Sequence, residues 1–94
     1  MALLDDADID QRLAGTAGWR RSGQQSIEHE RELADFAAAI AFVNQVAALA
    51  QDANHHPDIL LHGWNKVRLT LSTHSQGGLT AADFDLASEI DRLT

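Results

Sequence analysis

Lys66-Val67-Arg68-Leu69-Thr70-Leu71 alternates polar and apolar side chains at every step. Successive side chains of a strand point to opposite faces, so this run reads as a β-strand. Val67, Leu69 and Leu71 belong to a core face, with Lys66, Arg68, Thr70 and Ser72 behind it. Just upstream, Asp58 to His62 reads as a shorter strand, with a tight turn near Gly63 to Asn65. Downstream, Ser75-Gln76-Gly77-Gly78 reads as a loop, and Thr80 to Leu93 as a final amphipathic helix. Its apolar face is Phe84, Leu86, Ala87, Ile90 and Leu93. Thr80 followed by Asp83 resembles a capping box, with Asp where Glu or Gln is usual.

Ala34 to Ala53 is the clearest helix. Phe36, Ile40, Val43, Ala47 and Ala50 form one apolar stripe, and Phe42, Val46 and Leu49 a second beside it. One stripe packs on a sheet; the other is left for a second helix or another subunit. Asn54-His55-His56-Pro57 ends the helix, because proline disfavours helical geometry in the residue before it. Earlier still, Trp19 to Ser22, Gly23-Gln24-Gln25 and Ser26 to Leu33 read as a hairpin. Its second strand is imperfect, since His29 and Arg31 share a side with Ile27 and Leu33. Asp5, Asp6, Asp8 and Asp10 suit the first turn of a short helix ending near Gly15. Short links between paired strands imply antiparallel hairpins. The economical packing is an α+β fold: a four-stranded antiparallel sheet with three helices packed on one face, as a single domain over 1–94.

The chain has 94 residues, 45% of them apolar, so one small core is all it can build. Such a core rarely supplies more than roughly 3–5 kcal/mol, which favours oligomerisation. Fourteen acidic against seven basic residues give a net charge of -7, which argues against a nucleic-acid partner. No continuous apolar run approaches a membrane span, and the N-terminal stretch lacks the pattern of a signal peptide. The absence of cysteine excludes disulfides, thiolate zinc sites and a cysteine nucleophile. These features point to a cytoplasmic protein.

Near-neutral acid–base chemistry rests on five histidines: His29, His55, His56, His62 and His74. His55 and His56 stand where the long helix ends; His74 stands at the end of the best strand. Three readings are open for them. They are solvated surface groups, metal ligands, or general acids and bases around an organic substrate. Adjacent His55 and His56 do not easily converge on one ion, and no HExxH or paired His-x3-His spacing is present. As acids and bases they need an aromatic wall, which Trp19 and Trp64 offer unless those side chains are core or interface. His29 and His62 read as surface residues.

Asn54-His55-His56-Pro57, Trp64-Asn65-Lys66-Val67, Leu71-Ser72-Thr73-His74, Gly78-Leu79-Thr80 and Asp83 together resemble the pterin-4a-carbinolamine dehydratase family. The intervals from Pro57 to Trp64, Trp64 to His74 and His74 to Asp83 are in the family's register. Gly18-Trp19 and Asp35-Phe36 look like its earlier landmarks, so the likeness runs from Gly18 to Ile90. A lone His-His-Pro is weak; the series in register is specific.

The resemblance implies a lyase that dehydrates 4a-hydroxytetrahydropterin to quinonoid dihydropterin and water, in tetrahydropterin recycling. It carries the catalytic histidines over to His55, His56 and His74, and a supporting aspartate to Asp83. Trp19 and Trp64 are then the candidates for binding the pterin. The resemblance implies no metal and no prosthetic group. Asp83 has a second role in either case, as the capping carboxylate of the last helix, and it is placed to orient His74. Gln51 occupies a position that is often acidic in the family. The alternative is a non-catalytic binding protein of the same fold, acting as a dimerisation cofactor for a transcription factor or as an enzyme-assembly chaperone. A homodimer or homotetramer is expected.

Overall fold

A computed structural model describes residues 2–93; Met1 and Thr94, the two ends of the expected domain, lie outside the described residues. Helix α1 (Asp6–Ala14) starts where the Asp5 carboxylate accepts from Asp8 N–H at 2.8 Å, and its Ile9 is buried. Strands β1 (Arg20–Ser22) and β2 (Ser26–Glu32) form the first hairpin. Strands β3 (Asp58–His62) and β4 (Lys66–Leu71) form the second.

The sheet order is β1-β2-β4-β3, antiparallel throughout. The two hairpins join through β2 and β4, with Ile27 opposite Leu71 and His29 opposite Leu69. Ile27, Val67, Leu69 and Leu71 are buried beneath the helices, as the alternation requires. The other face is polar. There Glu30 accepts from His62 at 2.6 Å and pairs with Arg68 at 3.2 Å, and the His62 bond is the main cause holding the Glu30 carboxyl below its usual range.

Helix α2 (Phe36–Ala53) packs against α3 (Ala81–Asp91) and β4. Its apolar surface divides differently from the two expected stripes. Ala39, Phe42, Val46 and Ala50, spaced three or four residues apart, share one narrow arc and are buried. Phe36 and Ile40 stay exposed, at 53% and 40%. By length and composition α2 is apolar enough to cross a membrane, although its polar residues interrupt any continuous run; here one arc of it forms core.

The inward polar residues of β2 have specific partners. The Arg31 guanidinium lies 4.7 Å from the Phe42 ring centroid, a cation–π contact. His29 is not the surface residue expected. It is half-buried, with its ring centroid 5.2 Å from that of Trp19. Gly18, at φ 85°, makes room for it, since a Cβ there would sit 2.4 Å from His29 Cε1. Burial, followed by nearby Arg31, pushes the His29 imidazole below its ordinary value.

Candidate active site

Three chain segments meet where α2 ends, β4 ends and α3 begins. Asn54 closes α2 in the left-handed conformation, φ 49°, which Asn tolerates better than most residues. The turn lets His55 N–H bond Ala50 O at 3.0 Å and sends His55, His56 and Pro57 away from the helix. After β4, Thr73 leads into a short 3-10 turn over His74–Gln76. Part of the expected loop is therefore regular, closed by a bridge between Thr73 and Gly78.

Asp83 is the centre of this junction. It is fully buried, and its carboxylate has three donors. Thr80 N–H donates to Oδ2 at 2.9 Å, and the Thr73 hydroxyl donates to Oδ2 at 2.8 Å. His55 Nε2 lies 2.6 Å from Oδ1, with the His55 side chain 14% exposed. The expected capping box is complete, and the first turn of α3 turns the positive end of its dipole towards the carboxylate. The imidazole held by Asp83 is His55 rather than His74. A carboxylate facing Nε2 keeps the proton of neutral His55 there and leaves Nδ1 as an acceptor.

His56 and His74 are both exposed beside this pair. His56 Nε2 bonds Gln51 Oε1 at 3.1 Å, so the position that is often acidic in the resembling family supplies a neutral partner. His74 follows Thr73 directly, which brings the third histidine to the same junction. Among the described residues, no three His, Cys, Asp or Glu side chains are arranged to hold a metal ion.

The two tryptophans do not join the cluster within this chain. Trp19 is a core residue, 6% exposed, and its Nε1–H donates to Asp91 Oδ1 at 3.0 Å. Asp91 lies eight residues beyond Asp83 on α3, about 12 Å at 1.5 Å per residue. Trp64 is 60% exposed in the β3–β4 turn, at φ 62°. The length of β4, about 16 Å, separates it from the histidines. Spacing along a sequence does not say at which end of a sheet a residue emerges. A cleft of about 440 Å³ lined by Leu3, Asp6, Arg21, Gln24 and Leu79 contains none of the three histidines. Thr73 was missed by sequence reasoning. A threonine at a strand end carries no signal of its own, whereas the Thr80–Asp83 spacing did announce a capping carboxylate.

The family profile described as Pterin 4 alpha carbinolamine dehydratase matches residues 2–93. A protein of Roseiflexus castenholzii, provisionally named a pterin-4-alpha-carbinolamine dehydratase, is 53% identical over 92 residues, covering 98% of this chain and 97% of its own. One of Chloroflexus aggregans, with the same provisional name, is 47% identical over 93 residues, covering 99% and 98%. The crystal structure of a transcriptional coactivator/pterin dehydratase from Brucella melitensis superposes with a TM-score of 0.91 at 29% identity, covering 97% of both chains. A pterin dehydratase-like protein identified as a RuBisCO assembly factor in the alpha-carboxysome gives 0.69 at 27%, covering 81% of this chain and 88% of its own. A match over nearly the whole chain, with the same architecture in solved relatives, places this protein in the pterin-4-alpha-carbinolamine dehydratase family.

Proposed function

We propose that the protein is a lyase that dehydrates 4a-hydroxytetrahydropterin to quinonoid dihydropterin and water, through acid–base chemistry at His55, His56 and His74. The observation that carries this reading is the fully buried Asp83 carboxylate bonded to His55 Nε2. Burying a carboxylate is costly unless donors surround it, and one donor here is an imidazole at the edge of solvent. Helix capping alone does not call for that imidazole.

The reaction needs one acid and one base. The bond from C4a to its hydroxyl breaks, and the hydroxyl leaves as water with one added proton. The neighbouring ring nitrogen gives up a proton as the new C=N bond forms, so protons balance and no electrons are transferred. His55, with Nε2–H turned to Asp83, offers Nδ1 as the base. His56 and His74 are the candidates to protonate the hydroxyl. Positioned proton transfers of this kind are worth about 10²–10⁴-fold in rate. Neither a metal nor a cofactor has a part in this scheme.

The protein acts, on this reading, as a cytoplasmic homodimer or homotetramer. Phe36 and Ile40, one turn apart on α2, leave apolar side chains uncovered, which supports self-association. The same surface favours the second reading, a binding protein like the coactivator and assembly factor among the structural relatives. That role makes no use of the His55–Asp83 pair. The test is the decay of chemically generated 4a-hydroxytetrahydropterin with and without protein, in a chelator. Acceleration is expected; an unchanged rate leaves the binding-protein reading.

A further inference from the structure

Thr73, Thr80 and Asp83 are withdrawn from water together at the seam between β4 and α3. An ionised carboxylate only accepts hydrogen bonds, and a hydroxyl has a single proton to give. The Thr73 proton goes to Asp83 Oδ2, 2.8 Å away. The Thr80 hydroxyl lies 2.7 Å from that of Thr73, within hydrogen-bond distance. From the other side of the carboxylate, His55 donates to Oδ1. The backbone of Thr73 is equally engaged. Its carbonyl accepts from the N–H groups of Gln76 and Gly77, each at 3.0 Å, and its N–H donates to Gly78 O at 2.8 Å. These bonds close the turn that begins at His74.

We propose that Thr73 is a positioning residue that couples the two histidine-bearing segments of the site. Its hydroxyl fixes the Asp83 carboxylate, and so the Nε2–H form of His55, while its backbone sets the turn that presents His74. The role does not reduce to helix capping, because Thr80 and Asp83 complete the capping box between themselves. Nor does it reduce to filling space, because valine has the same shape and suits a buried strand end. What valine lacks is the proton for Asp83. The catalytic consequence rests on the dehydratase reading above; the tautomer of His55 does not.

The experiment compares wild type, Thr73→Val and Thr73→Ser by turnover of 4a-hydroxytetrahydropterin, thermal melting and nitrogen NMR of the His55 ring. Wild type is expected to show neutral His55 protonated at Nε2. Thr73→Val is expected to mix the two tautomers and lower turnover about 10-fold, the effect of one lost hydrogen bond to a charged group. Thr73→Ser should restore both. A Thr73→Val protein with the wild-type ring signature and rate overturns the proposal, as does a Thr73→Ser protein equally impaired. Should Thr73→Val not fold, wild type alone decides. A slowly exchanging Thr73 hydroxyl proton together with Nε2–H on His55 supports the proposal; rapid exchange, or His55 protonated at Nδ1, refutes it. Wild-type protein inert towards the hydroxypterin defeats the dehydratase reading and leaves the ring signature to judge Thr73.

Discussion

Replacing Asp83 by Asn removes a charge from a fully buried position while changing little in volume. The carboxylate has three donors, from His55, Thr73 and Thr80. Asn has a single acceptor oxygen. Set in place of Oδ2, that oxygen keeps both threonine bonds and preserves the start of α3. The amide NH₂ then faces His55 Nε2, which has to surrender its proton, and the proton moves to Nδ1. The proposed base becomes a donor. A wrongly protonated imidazole loses its share of acid–base catalysis, so turnover should fall by about 10²–10⁴-fold.

The stability cost of Asp83→Asn should be only about 1–2 kcal/mol, because neutral bonds replace charge-assisted ones of the same geometry. Asp83→Ala differs. It strands buried donors at about 1–3 kcal/mol each, so its total should exceed about 3 kcal/mol. In a domain of this size, melting falls roughly 4–8 °C per kcal/mol. Rates of hydroxypterin decay, taken well below each melting point, separate chemistry from folding. An Asp83→Asn protein with wild-type turnover would refute the reasoning. So would a loss of rate that merely follows melting temperature across both variants.

His74→Ala should cut turnover by roughly 10²-fold with melting nearly unchanged, since the side chain is exposed at the start of its turn; a near-wild-type rate would remove His74 from the chemistry. Stability should decline as pH falls from the ordinary imidazole value of about 6.5 towards the lower folded value of His29, because the unfolded chain takes up that proton first. Melting curves of wild type and His29→Gln across that window check the sign, and an equal decline in both would assign it elsewhere. Light scattering at micromolar concentration should give a dimer or tetramer, shifted towards monomer by Phe36→Glu with Ile40→Glu. A monomeric wild type would mean that the exposed α2 side chains serve another partner.

The sequence alone determined the local structure. Alternation in Lys66 to Leu71 set the core face of β4, since a pleated strand gives one side chain to each face in turn. The Thr80–Asp83 spacing set the start of α3, because both partners of a capping box lie within one helical turn. His-His-Pro placed two histidines at the end of α2 for the same local reason. What sequence spacing left open was everything that depends on which distant segments touch. The joining of the hairpins through β2 and β4, the burial of Trp19 and the emergence of Trp64 beyond the far end of β4 follow from packing of the whole sheet. The division of the α2 surface was likewise decided by α3 and the sheet, which cover only one arc of the helix. Most of all, Asp83 chose His55 over His74. Both histidines lie near it in the fold, and only the three-dimensional meeting of α2, β4 and α3 determines which imidazole reaches a carboxylate oxygen.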